Sequence, residues 1–429
     1  MSRRTILVLL AAMMPAAFTG LCAEEAKQPA VQDLTSAARE ADLFNYILGT
    51  QTFGASYQFT GRTRLVETAD AIRALGSSVI KFGLTPRYAG RNYAKPNPSI
   101  HSLVQLARDE PSCRHVLDMP FANYILWMYT FSNPDGNWRQ GFSREAQARE
   151  YREVYDLVTY LLKTYSGSGK TFYLGHWEGD GMLRGAIKRE DDVHATPAAI
   201  RGMIDWLTVR QRAVDDAKRN TPHHGVQVWH YTEVNHVTPA RDEDRPTVVN
   251  KVLPYAPVDY VSYSAYDTCN VPRPDNIKSA LNYIESKLTP KPGILGKRVF
   301  IGEYGYPVER DGKYGRAPAE QDRLSQIVMR TGIEWGCPFV LYWELYNNET
   351  DADGSQRGFW MIDDNGVKQP VYATHEEFFR KARRYVGNEI ARTGRPPSTE
   401  EYRSKALELL EETPPVSIPE KADALRKSL

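Results

Sequence analysis

The sequence predicts an α/β protein: a (β/α)8 TIM barrel followed by a C-terminal helical or irregular tail. Eight short apolar segments alternate with amphipathic segments through most of the 429 residues. This order is typical of parallel strands joined by helices. Neither G-x-G-x-x-G nor G-x-x-x-x-G-K-[ST] follows the first predicted strand. That absence argues against the rival fold, a doubly wound open sheet.

The predicted strands are short runs rich in β-branched and aromatic residues. They cover residues 52–59, 78–84, 124–131, 171–178, 226–233, 258–266, 298–305 and 339–346. The segments between them carry apolar residues at helical spacing. In RLVETADAIRALG, for example, Leu65, Ala69, Ile72 and Leu75 share one helix face. Ser143 is a suitable N-cap for the long helix before the fourth strand.

The chain divides into three predicted parts: residues 1–23, 24–392 and 393–429. The first part is interpreted as an export signal and the second as the barrel. The third is interpreted as an appended, partly disordered tail, because prolines flank a single charged helix.

The N-terminus has the pattern of a secretory signal peptide. Arg3 and Arg4 precede the apolar stretch TILVLLAAMMPAAF, and Ala23 ends a cleavage site. The apolar stretch is too short for a membrane span. We therefore expect a secreted or periplasmic protein, with the general and twin-arginine export routes both open.

Net charge and cysteine content argue against several classes of partner and site. The formal net charge of +1 gives no electrostatic reason to expect nucleic acid or an anionic membrane as a partner. Cys113, Cys269 and Cys337 remain after the signal, an odd number with no C-x-x-C pair. This pattern argues against a zinc ribbon and favours buried structural cysteines.

Two predicted strands end in a glutamate: strand four at Glu178 and strand seven at Glu303. In a barrel, the carboxyl ends of the strands surround the active site. Alternation places Phe172, Leu174, His176 and Glu178 on one face of strand four, and Val299, Ile301 and Glu303 on one face of strand seven. We expect these faces to fill the barrel and to carry both carboxylates to its mouth. Glu233 also ends a predicted strand and is the main competitor of Glu178. It has the parity of Trp229 and Tyr231, and is expected to face the helices unless the strand has already ended.

Two carboxylates across a pocket can hydrolyse a glycosidic bond. Glu178 follows Trp177 and lies near another anion, and both features favour the protonated form that a general acid needs. Glu303 is expected to stay ionised as the nucleophile. Trp177, Trp229 and Trp343 are candidates for stacking against sugar rings.

The segments VFIGEYGYP and FVLYWELYN resemble strands seven and eight of the retaining, cellulase-like glycoside hydrolases of clan A. The resemblance covers residues 45–390 as an order of elements and assigns no exact family. It implies that Glu303 is the nucleophile, that Glu178 is the acid/base and that no cofactor is needed. It also implies that Trp343 forms the floor of the catalytic subsite, and that Tyr263 or Tyr266 donates a hydrogen bond to the nucleophile.

The sequence departs from the clan pattern at two positions. Trp177 stands where the clan has Asn, and Asn235 is the candidate replacement. Lys81 stands where the clan has Arg, and is a candidate contact for the sugar or the nucleophile. For His176, substrate contact and a structural role both stay open. For Asp180, sugar binding and the capping of a turn stay open as well.

Two alternative functions follow from the same residues. One is a metal-dependent barrel enzyme, with ligands drawn from His176, Glu178, Asp180, His230 and Glu233, although no H-E-x-x-H motif is present. The other is an inactive barrel that binds carbohydrate or a protein. The sequence does not specify the sugar, the linkage, endo or exo action, or the oligomeric state.

Overall fold

The computed structural model describes residues 38–90, 96–186, 194–309 and 315–413. Within them, eight parallel strands close into a barrel in which each strand pairs with the next and the eighth pairs with the first. The predicted (β/α)8 fold is therefore confirmed. The strands are β1 (Leu48–Gln51), β2 (Val79–Leu84), β3 (Asn123–Met128), β4 (Thr171–Gly175), β5 (Gln227–Val234), β6 (Tyr260–Ser264), β7 (Val299–Tyr304) and β8 (Val340–Tyr342).

Helices surround the barrel and connect its strands. They are α1 (Arg64–Leu75), α2 (Leu103–Asp109), α3 (Pro111–Asp118), α4 (Arg144–Thr164), α5 (Gly179–Arg184), α6 (Pro197–Asn220), α7 (Val237–Glu243), α8 (Tyr266–Cys269), α9 (Pro274–Ser286), α10 (Pro318–Trp335), α11 (Pro370–Thr393) and α12 (Thr399–Glu411). A π-helical turn, Val248–Val252, and a 3-10 turn, Leu253–Tyr255, precede β6. Ser143 caps α4 as predicted, since its hydroxyl accepts a hydrogen bond from the Ala146 amide at 3.2 Å.

The first strand lies earlier than predicted. The prediction was 52–59, whereas β1 ends at Gln51. The chain then leaves the ladder, and the Phe53 amide donates to Oε2 of Glu344 at 2.9 Å. The prediction was wrong because residues 52–59 carry the aromatic residues typical of a strand, whereas Phe53 stacks on Trp127 above the barrel.

The barrel strands separate two apolar layers. Tyr173, Tyr231 and Phe300 fill the barrel interior, while Phe172, Leu174, Val299 and Ile301 pack under the helices. The predicted phase of β4 and β7 was therefore wrong. Parallel strands that are buried on both faces carry an almost continuous apolar pattern, which does not show which face points inward.

The beginning of the predicted tail packs on the barrel. Tyr402 of α12 is buried, and its hydroxyl donates to the Tyr46 carbonyl at 3.2 Å. Ser398 and Glu401 form a capping box at the start of this helix. The remainder, 414–429, lies outside the described residues, as does the predicted signal at 1–23.

Two further findings concern the described part of the chain. Cys113, Cys269 and Cys337 are buried and form no disulfide there. None of the helices described is both long enough and apolar enough to cross a membrane.

Candidate active site

Glu303 points into the barrel because of a β-bulge in β7. Tyr263 pairs with Ile301, but the next residue of β6, Ser264, pairs with Glu303, so Gly302 is an extra residue. The extra residue reverses the alternation, and Glu303 faces inward although Ile301 faces the helices. The Glu303 side chain is buried, and its Oε2 accepts a hydrogen bond from the Ser264 hydroxyl at 3.2 Å.

Lys81 lies between two carboxylates inside the barrel. Its Nζ is 3.1 Å from Oε1 of Glu303 and 3.0 Å from Oε2 of Glu233. It also donates to the Gly302 carbonyl at 3.0 Å and lies 4.9 Å from the centre of the Trp127 ring. A fully buried ammonium requires partners of this kind. Lys81 therefore compensates part of the negative charge of both glutamates.

Glu233 points into the barrel, so the prediction that it faces the helices was wrong. Trp229, which has the same parity in β5, also packs on the inner side. Three donors reach the Glu233 carboxylate: the Lys81 ammonium, the Ser262 hydroxyl at 2.8 Å and the Glu178 amide at 2.9 Å. The parity predicted for this strand was correct, but the predicted side was wrong.

Glu178 lies three residues beyond β4, where α5 begins. Its backbone is left-handed, with φ 37° and ψ 68°, which is uncommon for a residue other than glycine. Its Oε2 is buried and has no hydrogen-bond partner among the described residues. Burial, together with the charges of Glu233, Asp180 and Glu349, raises the pKa of Glu178 to about 7. The carboxyl group therefore holds a proton close to neutral pH, as a general acid requires.

Glu303 also has a raised pKa. Burial raises the pKa of Glu303 to about 8; Lys81 opposes this rise, and Glu233 and Glu178 add to it. Lys81 is one ammonium in contact with both Glu303 and Glu233, so it compensates only part of their negative charge. The raised pKa of Glu303 runs against the ionised nucleophile expected from the sequence, but the bonds from Lys81 and Ser264 favour its ionised form. Oε2 of Glu178 has no hydrogen-bond partner among the described residues, so we assign the proton of the pair to Glu178.

Asn235, a predicted substrate contact, instead binds Asp180. Its Oδ1 accepts from the Asp180 amide at 3.1 Å, and its own amide donates to Oδ2 of Asp180 at 3.0 Å. The buried Asp180 carboxylate also accepts from the amides of His236 and Val248. These bonds join the segments that follow β4 and β5, and they fix the start of α5 beside Glu178.

Aromatic rings form a wall beside the carboxylates. Phe53 stacks on Trp127 with ring centres 3.5 Å apart and on Trp343 at 5.7 Å. Trp177 lies 5.7 Å from Trp127 and is half-buried. The Trp343 indole N–H donates to Oε1 of Glu349 at 3.1 Å. Trp177 and Trp343 therefore belong to one aromatic surface at the barrel mouth.

The prediction that Trp229 stacks on sugar was wrong. Trp229 is the third residue of β5, at the end of the barrel opposite to the carboxyl ends of the strands. Its ring contacts Tyr260 edge to face and lies 3.5 Å from the Lys218 ammonium. Its position makes it part of the floor of the barrel.

His176 lies between the barrel and the helices. It is fully buried, its Nε2 is 2.8 Å from the Thr232 hydroxyl, and its ring packs on Trp206 of α6. Burial, with the charge of Arg210, lowers its pKa to about 3, so it is neutral. Of the two roles left open for His176, the structure supports the structural one, because the β4 face that carries it points outward.

The two candidate tyrosines lie on different sides of the barrel wall. The Tyr263 hydroxyl bonds Asp267 and the Thr268 hydroxyl on the outer side of β6, so the alternative that placed it on the nucleophile was wrong. Tyr266 packs against the interior cluster. Burial and the charges of Glu303, Glu349 and Glu178 raise its pKa well above the usual value. Tyr266 is thus the tyrosine at the barrel mouth.

No three His, Cys, Asp or Glu side chains within the described ranges are grouped to hold a metal ion. Of the ligands considered from the sequence, His176 and His230 face the helix layer, where Nδ1 of His230 lies 3.2 Å from Oε1 of Gln211. Asp180 is saturated with backbone amides. These contacts leave the proposed ligands on opposite sides of the barrel wall.

Sequence reasoning missed several residues of this site: Phe53, Trp127, Ser262, Ser264 and the inward-facing Glu233. A signal for Glu233 was present. Lys81 stands in an apolar strand and needs a buried carboxylate, and Glu233 is an acidic residue within another predicted strand.

No protein-family model matches the chain, and no curated protein matches it either. Solved structures similar to it include a GH5_18 protein of Streptomyces cattleya in complex with Manb1-4GlcNAc, with TM-score 0.49, 13% identity, and coverage of 88% of this chain and 92% of that chain. They also include a beta-glycosidase of Pyrococcus horikoshii, with TM-score 0.46, 13% identity, and coverage of 88% and 98%.

A third similar structure is beta-glucuronidase 2 of Bacteroides uniformis, with TM-score 0.47, 8% identity and coverage of 78% of this chain. The chain spans about a third, 35%, of that protein's length. At these identities and TM-scores, the similarity concerns the barrel alone and carries no argument about substrate. What the chain shares with these glycoside hydrolases is the (β/α)8 fold.

Proposed function

We propose that this protein is an exported glycosidase that cleaves O-glycosidic bonds of an oligo- or polysaccharide with retention of configuration. One observation carries the proposal: Glu178, with a buried and unpartnered carboxyl oxygen, and Glu303, bound by Lys81, lie at one barrel mouth beside an aromatic wall. An acid and a nucleophile with separate environments are what glycoside hydrolysis requires.

In the proposed reaction, Glu178 protonates the leaving oxygen while Glu303 attacks the anomeric carbon. The covalent glycosyl-enzyme then reacts with water, from which Glu178 removes a proton. Lys81 and Ser264 orient the Glu303 carboxylate before attack. The rings of Trp177 and Trp343 offer faces on which a sugar can stack.

The proposal is tested on a panel of aryl glycosides and oligosaccharides, using the wild type, Glu303→Gln and a matched control. The control is Glu150→Gln, which removes a different buried carboxylate, on α4, that accepts from the Thr130 hydroxyl and from the Trp206 indole of α6. We expect Glu303→Gln to lower kcat by more than about a thousandfold and the control to keep its activity. Turnover of Glu303→Gln at the wild-type rate would refute the assignment of Glu303 as the nucleophile.

Export is a second part of the proposal, motivated by the basic and apolar N-terminal pattern that ends at Ala23. Mass spectrometry of the secreted or periplasmic protein should find a mature chain that begins at Glu24. A full-length chain retained in the cytoplasm would contradict this part alone.

An inactive carbohydrate-binding barrel is the alternative function. It is favoured by the pairing of Asn235 with Asp180. Asn235 was the candidate to replace the clan Asn that is absent at Trp177, and this pairing occupies it. Binding of a glycan by calorimetry, with no hydrolysis of any member of the panel, would support it over the glycosidase.

A further inference from the structure

Glu233 connects the two proposed catalytic groups through an unbroken series of contacts. Its Oε1 accepts from the Glu178 amide, and its Oε2 accepts from the Lys81 ammonium and the Ser262 hydroxyl. On its other side, Lys81 binds Oε1 of Glu303. The backbone of the proton donor and the carboxylate of the nucleophile are therefore held by one buried side chain and one lysine.

We propose that Glu233 is a positioning residue that sets the geometry and charge of both Glu178 and Glu303. The inference rests on the proposed glycosidase function and adds a third carboxylate to it. In the proposed reaction, Glu233 contacts neither the leaving oxygen nor the anomeric carbon. It acts through the Glu178 amide and through Lys81.

The backbone conformation of Glu178 shows why it needs the hydrogen bond to Glu233. Glu178 adopts the left-handed conformation that non-glycine residues avoid. The next residue, Gly179, lies so close to β5 that a Cβ atom on it would be 2.3 Å from the Glu233 carbonyl oxygen. The bond from the Glu178 amide to Oε1 of Glu233 therefore fixes this turn directly on β5.

The charge of Glu233 acts on both neighbours in the same direction. Among the described residues, the titratable and charged groups that contact or act on Glu233 are Lys81 from β2, Tyr129 beyond β3, Glu178 beyond β4, Tyr231 on β5 and Glu303 on β7. A negative charge on Glu233 disfavours ionisation of Glu178 and Glu303. Its removal should lower the pKa of both groups.

The experiment compares Glu233→Gln with the Glu150→Gln control on an aryl glycoside that the wild type hydrolyses. Glutamine keeps the shape and an acceptor oxygen but removes the charge. We expect kcat to fall by about tenfold or more, with KM changed by less than about threefold. In the pH profile of kcat/KM, both the acidic and the alkaline limb should shift to lower pH by about half a unit or more. Neither limb should shift in the control.

Several outcomes decide between the explanations. Unchanged kcat and unchanged pH limbs in Glu233→Gln would overturn the positioning role while leaving the glycosidase proposal intact. A covalent glycosyl adduct on Glu233 would overturn it too, because Glu233 would then be the nucleophile. Full turnover by Glu303→Gln would instead remove the glycosidase mechanism itself.

If Glu233→Gln does not fold, Ser262→Ala serves as the second variant. It removes one donor to Oε2 of Glu233 and leaves all charges in place. A fall in kcat of about threefold or more, with unchanged pH limbs, is expected. Wild-type kcat in a folded Ser262→Ala protein would overturn the proposal.

Discussion

At the scale of single residues, the site depends on how differently three nearby carboxyl groups are satisfied. Glu303 and Glu233 each accept from Lys81 and a serine hydroxyl. Glu178 has a buried oxygen without a hydrogen-bond partner in the described part of the chain. The same residue type therefore has two different environments, and in the proposed mechanism the environment decides which side chain keeps the proton.

Substitution of Glu178 should stabilise the protein in a pH-dependent way. The folded-state pKa, about 7, lies above the usual value of 4.5. The protonated group therefore contributes stability below about pH 4.5, which is lost as the pH rises through 7. Glu178→Gln should exceed the wild type in free energy of unfolding by roughly 3 kcal/mol at pH 8.5, but not at pH 4.5.

Urea denaturation at these two pH values measures the difference. Glu400→Gln, which removes an exposed carboxylate of α12, is the control and should differ from the wild type equally at both pH values. A Glu178→Gln protein that gains nothing at pH 8.5 would show that Glu178 carries no raised pKa.

At the scale of elements, three different backbone features place the three carboxylates. β5 alternates regularly and carries Glu233 inward. β7 needs the bulge at Gly302 to turn Glu303 inward. β4 ends early, and a left-handed residue at the start of α5 places Glu178. Irregular backbone at the carboxyl ends of strands is common next to active sites.

Gly302→Ala should disrupt the bulge. A Cβ atom there would lie 1.8 Å from the Ser262 hydroxyl oxygen, which donates to Glu233. We expect a loss of about 1–3 kcal/mol in the free energy of unfolding and a fall in kcat of about tenfold or more. Gly83→Ala is the control, because its nearest neighbour would be 3.7 Å away. Equal behaviour of the two variants would contradict a special role for the bulge.

These backbone features also explain which parts of the site were predictable from sequence. Seven of the eight strands follow from the alternation of apolar and amphipathic segments, and so does the position of Glu178 and Glu303 near the carboxyl ends of β4 and β7. The side to which each side chain points does not, because Phe172 and Tyr173 are both apolar and both buried. The bulge at Gly302 and the left-handed Glu178 depend on tertiary pairing, so Glu303 reached the interior despite an incorrect assignment of the β7 face.

At the scale of the whole molecule, helices cover the outer surface of the barrel, and α12 belongs to that helical layer. Tyr402 packs edge to face with Phe44 and Tyr46 near the start of β1. Nζ of Lys381 on α11 donates a hydrogen bond to the Glu412 carbonyl at 2.9 Å. The C-terminal helix thus supports the end of the barrel that lies away from the carboxylates.

Tyr402→Ala should therefore affect stability and leave catalysis unchanged. Loss of a buried aromatic side chain typically costs about 3–5 kcal/mol in the free energy of unfolding. Tyr402→Phe, which loses only the bond to the Tyr46 carbonyl, should cost about 1 kcal/mol. Denaturation gives these values, and kcat of the folded variants should match the wild type. A large loss of kcat in Tyr402→Phe would contradict this separation of stability from catalysis.

Trapping the covalent intermediate shows directly whether Glu303 is the nucleophile. The protein is incubated with a panel of activated 2-deoxy-2-fluoro glycosides, and its peptides are analysed by mass spectrometry. We expect a single glycosyl adduct on the peptide that contains Glu303, and no adduct in Glu303→Gln. An adduct on Glu233, or hydrolysis of the parent glycosides with inversion of configuration, would contradict it.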